Sequence, residues 1–332
     1  MTTPVHHETQ VRSRRGGWWA PRGALDWLAR LALAVPLGVA VVALSGIGHR
    51  WFDILAQFTA PALIATAVLT VGLALTRLRV AALHGLAACA VLMMAAAPQW
   101  FPGGPRPEAE APIVRLYSAN LYYLNDDVAA IRGSIEAADA DVVVLIELGR
   151  DAAARIDEVL EGYPHRAASM RMDQTRGPSR SVIGSRYPLT ALDDPPDGLH
   201  AVAAVARTPL GPLNVVGVHL TRPWPFQEQW GQISQTMALQ GVVEGLDGPV
   251  VVAGDFNSVS SARIGKQVRR DLGLHPAPGF PGTWPTDLPA PLGMTIDQVY
   301  ASPELAFVAR RLGRPTGSDH RPVVTEFTRA AD

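Results

Sequence analysis

The feature that most limits what this 332-residue chain can become is the placement of its apolar residues, because nearly all of the hydrophobic excess lies in three runs at 25–47, 54–76 and 80–97. Each is about long enough to cross a hydrocarbon layer of roughly 30 Å at 1.5 Å per residue, the third being the shortest. A cleaved signal peptide has one short apolar region, so three long ones predict three transmembrane helices. Arg30 stands near the start of the first run, where its head group can snorkel to the interface. Pro36 and Pro61 fall inside runs, which membrane helices tolerate better than soluble ones. The chain therefore divides into a membrane part and a globular part.

Orientation follows from the arginines. Residues 1–24 form a basic tail in which Arg12, Arg14, Arg15 and Arg22 accompany Trp18 and Trp19, the pattern of a cytoplasmic anchor before a first span. Arg77 and Arg79 mark the second turn, whereas the 49–53 turn sets only Arg50 against Asp53. Positive loops stay inside, so three crossings place everything after residue 97 on the extracytoplasmic side of the plasma (inner) membrane. The segment 99–112, Q-W-F-P-G-G-P-R-P-E-A-E-A-P, reads as a semi-rigid linker with Trp100 and Phe101 at the membrane surface. The expected organisation is thus tail 1–24, anchor 25–98, linker 99–112 and globular domain 113–329. A formal net charge of −1 argues against a strong overall nucleic-acid field. The single cysteine, Cys89, lies within an apolar run and excludes a disulfide framework or a thiolate metal site.

From residue 113 onward the pattern alternates between strands and amphipathic helices, the mark of a layered α/β domain. Strands are expected at 113–119, 141–146, 181–185, 201–207, 213–218, 295–299 and 323–328, and helices at 125–138, capped by Asn125, at 151–160 and at 260–272. The centre of the pattern is 249–258, P-V-V-V-A-G-D-F-N-S. A buried strand ending there pushes Asp255 and Asn257 out at a sheet edge and turns Phe256 back into the core. Asp and Asn after Gly are also ordinary turn formers. The same arrangement recurs at six places, however: an apolar strand with a carboxylate, an amide or a histidine at its end or in the adjoining loop.

Those residues carry a resemblance. Asn120 after the first strand, Glu147 after V-V-V-L-I, S-R-Y-P-L at 185–189, His219 in G-V-H-L, G-D-F-N-S at 254–258, I-D at Ile296 and Asp297, and S-D-H-R-P-V at 318–323 resemble, in order and spacing, the motif set of the endonuclease/exonuclease/phosphatase superfamily. The resemblance covers about 114–327 and none of the membrane part. It implies a four-layer α/β sandwich, two packed mixed sheets flanked by helices, with the site where the sheets meet at one edge. It also implies metal-dependent phosphoester hydrolysis with Mg²⁺ or Mn²⁺. Three departures are visible: Gln298 stands where many members have histidine, Tyr122 cannot supply a second ligand near Asn120, and V-I-G-S before Arg186 is a looser strand than usual.

Cleaving a phosphodiester needs charge neutralisation, an oriented water and stabilisation of the leaving oxygen. Within the resemblance Glu147 is a hard oxygen ligand for the metal, and Asn120 adds a carboxamide oxygen or a phosphate contact. Asp319 binds metal directly or through water. Asp255 and Asn257 position and deprotonate the water, His320 contacts the phosphate or leaving group with Asp297 steering its tautomer, and His219 donates to a non-bridging oxygen. Arg186, and Arg222 and Trp224 in the loop T-R-P-W-P-F with Phe226, are expected to touch substrate by gripping phosphate, stacking a base or dipping into headgroups. Arg166, Arg171, Arg176 and Arg180 join Arg186 in a modest anion-binding wall, but Lys266 is the one lysine of the globular part, few for a nuclease groove. The tether to a lipid bilayer favours a lipid-headgroup or small extracytoplasmic phosphoester over duplex DNA. The alternatives are a cell-surface nuclease with the same site, and a membrane scaffold that keeps the fold without catalysis.

Overall fold

The computed structural model describes residues 23–169, 172, 180–223, 225 and 227–331. The basic tail with Trp18 and Trp19, Arg171, Arg176, Trp224 and Phe226 lie outside the described residues. Among the described residues the amino-terminal part forms four helices: α1 (Gly23–Leu44), α2 (Arg50–Ala56), α3 (Thr59–Leu75) and α4 (Arg79–Trp100). Among the described residues two helices, α1 and α4, are long and apolar enough on their own to cross a membrane, not the three expected. The middle run is broken into α2 and α3, which meet at 54°. Pro61 gives a physical reason for the break, since its ring clashes with the carbonyl four residues back and a helix cannot run through Gln57 into it. At 17 residues α3 spans about 25 Å, at the short end of what a bilayer accepts.

Packing fixes how these helices run. Leu33, midway along α1, meets Leu73 late in α3 and Ala81 early in α4. At the other end Ala40 meets Ala60, Leu63, Leu92 and Trp100. Helices α1 and α4 are therefore parallel and α3 runs back between their ends, so the end of α1, all of α2, the start of α3 and the end of α4 gather at one level.

That level abuts the globular part. Its first half contains β1 (Val114–Asn120), α5 (Val128–Ala138), β2 (Val142–Ile146), α6 (Arg150–Ala154), α7 (Ile156–Val159), β3 (His165–Ala168), β4 (Val182–Ser185) and β5 (Leu189–Ala191). Its second half contains β6 (Ala201–Thr208), β7 (Gly211–His219), α8 (Gln229–Glu244), β8 (Val250–Asp255) and α9 (Arg263–Asp271), then β9 (His275–Pro276), β10 (Asp297–Ala301), β11 (Leu305–Leu312) and β12 (Val323–Arg329). The strands form two six-stranded mixed sheets, ordered β11-β12-β1-β2-β4-β3 and β5-β6-β7-β8-β10-β9.

Alternation along the strands builds the layers. In β8, Val251 and Ala253 face the core between the sheets, where they meet Val144, Ile146 and Val215. Val250 and Val252 face outward beneath α8 and α9, against Leu239, Ile264 and Val268. On the first sheet Val143 and Leu145 take the outward position beneath α5, against Ile131 and Ile135. The result is helix, sheet, sheet, helix, as the resemblance implied. One cap differs from expectation: Asp127, not Asn125, caps α5 by accepting the Ala130 N–H at 2.9 Å. Asn125 instead donates to the Leu121 and Thr316 carbonyls and ties the loop before His320 to the end of β1.

Candidate active site

Strand direction brings the polar residues together. β1 and β2 are parallel, with Asn120 opposite Ile146, so Asn120 and Glu147 emerge at the same rim. β7 and β8 are parallel with His219 opposite Asp255, and antiparallel β10 sets Asp297 opposite Asp255. β12 runs against β1 with Val323 opposite Ser118, so the loop before it carries Asp319 and His320 to that rim as well. Glycine is required before the key carboxylate: Gly254 has φ +144°, and a Cβ there would lie 2.0 Å from the Val218 carbonyl oxygen of the adjacent strand. Tyr122, Glu147 and Asn257 adopt positive φ without being glycine. Such backbones cost roughly 1–3 kcal/mol each and persist where the surroundings over-determine them.

The side chains interlock. Asn120 donates from Nδ2 to Glu147 Oε1 at 3.0 Å and to Asp255 Oδ2 at 3.1 Å. Its Oδ1 accepts the Tyr122 N–H at 2.9 Å, which fixes the amide, because a flip would set oxygen against two carboxylates. Asn120 thus turns its nitrogen, and not its carbonyl oxygen, toward Glu147 and Asp255, and both of its N–H donors are taken by those two carboxylates. His219 Nε2 lies 3.0 Å from Glu147 Oε1. His219 Nε2 and His320 Nε2 each lie 3.9 Å from Asp255 Oδ2, so two imidazoles flank one carboxylate. His320 Nδ1 is bonded to Asp297 Oδ2 at 2.9 Å. Asn257 holds Asp255 by its N–H at 2.7 Å and its Nδ2 at 3.2 Å, and donates to the Leu220 carbonyl at 2.8 Å. Asp319, half-exposed at the mouth, accepts from Trp284 Nε1 at 3.1 Å.

Charge states follow from burial and neighbours. Burial raises the Glu147 carboxyl, but His219 and the Asn120 amide outweigh it and hold the group down at about 2. Burial pushes Asp255 up to about 6, with His320 and His219 opposing and the Asp297 charge adding to the rise. Burial works to lower both histidines. In His320 Asp297 reverses this and carries the ring up to about 10, and in His219 the bond to Glu147 likewise leaves the net shift upward. At neutral pH the site presents an ionised Glu147 and a cationic His320, with Asp255 ionised above about 6.

Ligand atoms of Glu147, His219 and Asp255 lie within 4.8 Å of one another, and so do those of Asp255, Asp297 and His320. In each group a histidine already meets a carboxylate, His219 with Glu147 and His320 with Asp297, but all three residues of the first group line the open cleft whereas Asp297 does not, so the first is the better cradle for an ion. Its donors, an ionised glutamate and a buried aspartate with an imidazole beside them, fit a hard divalent cation. The cleft these groups share encloses about 260 Å³ and is also lined by Tyr122, Tyr123, His200, Arg222 and Asp319.

Two of the expected residues are not brought into this cleft by the described structure. Arg186 follows Ser185, which pairs with Val142 at the start of β2, whereas Glu147 follows its end. At about 3.3 Å per residue this sets Arg186 at the opposite rim, where it bonds Asp139 at 2.7 Å and stacks over Tyr163. The S-R-Y-P motif is accordingly structural, with Ser185 Oγ accepting the Tyr187 N–H and Tyr187 donating to Asp141. Trp224 falls outside the described residues. His200 and Tyr123 were missed by sequence reasoning. The signal for His200 was its place directly before β6, since its carbonyl accepts the His219 N–H and its ring lies 6.4 Å from that of His219.

Two facing sheets with a carboxylate, amide and histidine cluster at one rim define the class of layered phosphoester hydrolases. Residues 117–320 match the endonuclease/exonuclease/phosphatase family, and the chain belongs to that family, whose members cleave phosphoester bonds. No curated protein matches the chain. Among solved structures it is similar to an endonuclease/exonuclease/phosphatase from Beutenbergia cavernae at 21% identity, with 66% of this chain and 72% of that one covered and a TM-score of 0.53. A second, from Bacteroides vulgatus, is 16% identical over 66% of this chain and 99% of its own, with a TM-score of 0.55. The human Nocturnin catalytic domain is 17% identical over 68% and 99%, with a TM-score of 0.51. At these identities the likeness is one of fold.

Proposed function

We propose that this protein is a membrane-anchored, divalent-metal-dependent phosphoesterase that hydrolyses its substrate by attack of water. The observation that carries the reading is the pair of imidazole Nε2 atoms, each 3.9 Å from Asp255 Oδ2, beside an ionised Glu147. Glu147 would hold the ion, Mg²⁺ or Mn²⁺, with Asp319 at the mouth reaching it directly or through water, which leaves Asp255 free to act as a base. When bound, such an ion neutralises phosphate charge and makes a nearby water easier to deprotonate.

The remaining chemistry belongs to the chain. Asp255, oriented by the Asn257 N–H, takes the proton of the attacking water. His320 lies next to that base, and attacking and leaving oxygens stand on opposite sides of phosphorus. Its proton therefore goes to a non-bridging oxygen, and the leaving oxygen departs on the far side, toward the open mouth, where solvent supplies its proton. Asp297 keeps Nδ1 protonated, so that Nε2–H faces the substrate. His219 donates to a second non-bridging oxygen, the Asn120 amide orients the two carboxylates, and Arg222 at the cleft edge adds a cation. The basic tail and the parallel α1 and α4 support a plasma-membrane anchor with the catalytic part on the extracytoplasmic side.

Hydrolysis of bis(p-nitrophenyl) phosphate and of p-nitrophenyl phosphate by the full chain in detergent tests this reading. Activity should require Mg²⁺ or Mn²⁺, vanish with chelator and fall by about 10²–10⁴-fold in Asp255→Ala. Hydrolysis indifferent to chelator or to that substitution refutes it.

A further inference from the structure

Beside the catalytic cleft runs a second depression of different chemistry. One wall is Trp284, Met294 and Ile296 of the globular part, and the other is Ile54 and Phe58 at the α2–α3 break. Its polar end is formed by Arg222, Asn257 and His320, and the same three residues line the catalytic cleft. A ligand whose phosphate lies against His320 therefore has an apolar passage leading from that phosphate to the membrane helices.

The wall supplied by α2 is held in place. Asp53 accepts from Gln229 Nε2 at 2.7 Å and from Arg263 at 3.2 Å, and Ala56 packs against Val259, Ala262, Met294 and Ile296. Beside the groove, Trp51 and Leu55 of this segment are exposed apolar side chains, and Phe58 in its wall is itself 43% exposed. They stand at the level where α1 ends, α3 begins and α4 ends, which is where the surface of a bilayer lies if α1 and α4 cross it as proposed above. The groove thus opens where acyl chains are at hand. A polyanion gains little from such walls, because nucleic-acid affinity comes from many cations along a groove.

We propose that the substrate is an amphiphile, a phosphoester bearing an apolar chain, which enters from the bilayer and lays that chain between Phe58 and Met294 while its phosphate occupies the catalytic cleft. This rests on the phosphoesterase reading and adds to it the substrate class. Burying apolar surface next to the reacting phosphate contributes binding energy that scales with the chain length enclosed.

The test uses the full chain in phosphatidylcholine nanodiscs with methyl and octyl p-nitrophenyl phosphate, and with methyl and octyl phosphate as the monoester pair. The octyl ester should exceed the methyl ester in kcat/KM by about tenfold or more. Partition into the bilayer favours octyl for any variant, so the decisive reading is the octyl-to-methyl ratio in Phe58→Glu, which should fall at least several-fold, and in Phe58→Leu, which should keep it. Phe58 is 43% exposed, so a charge there is compatible with folding, and Ile54→Glu repeats the measurement from a second position. Equal kcat/KM for the two chain lengths overturns the proposal, as does a ratio unmoved by both glutamate variants. Faster hydrolysis of a single-stranded oligonucleotide than of the octyl esters overturns it in favour of a nuclease. Hydrolysis that needs metal but ignores chain length sinks this inference alone, whereas no metal-dependent hydrolysis of any ester sinks the phosphoesterase reading beneath it.

Discussion

A histidine whose Nδ1 lies 2.9 Å from a buried carboxylate stays cationic far above its ordinary range, and His320 is raised to about 10 even though burial opposes it. Asp255 titrates at about 6 for the opposite reason, a carboxyl starved of water. With Asp255 as the proposed base and His320 as the proposed cationic donor, activity should rise through about pH 6 and fall through about pH 10. Removing the Asp297 charge in Asp297→Asn lowers the His320 value, so the alkaline limb of the kcat/KM profile should move toward neutrality while the acid limb persists. The His320–Asp297 pair also contributes to folding: with the folded value raised, that contribution is whole below about 6.5 and is lost as pH rises through about 10. At the opposite rim Arg186→Ala should leave kcat/KM unchanged and cost about 0–1 kcal/mol in denaturant unfolding, since its bond to Asp139 is largely solvent-exposed.

Helix α8 shows what an element can do for a site it does not enter. Gln229, Gln232 and Gln235 recur every three residues and form a buried amide stripe. Gln232 Nε2 donates to the Phe256 and Asn257 carbonyls at 2.8 and 3.1 Å, Gln235 Oε1 accepts the Thr221 N–H at 2.7 Å, and Gln229 reaches Asp53. The stripe therefore sets both the loop after Asp255 and the loop bearing Arg222. Gln232→Leu leaves two buried carbonyls without their donor, which should cost about 1–3 kcal/mol of stability. Because the residue positions Asn257 without touching substrate, kcat should fall about tenfold or more with KM little changed, read from steady-state kinetics. Sequence periodicity does not announce this helix, because its buried face is glutamine and threonine where an apolar stripe is the usual sign. The same blindness hid β11, whose outer half, V-A-R-R-L, is mostly exposed.

On the scale of the whole molecule the two parts are joined through Asp53, the Trp100–Phe280 ring contact and the Gly279 N–H bonded to the Gln99 carbonyl. Asp53→Ala removes the acceptor shared by Gln229 and Arg263, so hydrogen exchange across α2 should quicken by about tenfold while the β8 core stays protected. The sequence by itself determined that apolar residues split the chain in two, that the second part is a layered α/β domain, and which groups stand at its strand ends. Apolar runs and strand alternation are local patterns, and Asp255, Asn257, Asp297 and His320 each lie within three residues of one or at its end. What only the tertiary structure decided depends on direction and register. Antiparallel β4 sends Arg186 away from the rim that parallel β1, β2, β7 and β8 share, the Asn120 amide shows the site its nitrogen because Tyr122 claims its oxygen, and Pro61 with Asp53 turns an expected span into a bent pair docked on the catalytic part. Those outcomes turn on partners far apart along the chain, and no local spacing encodes them.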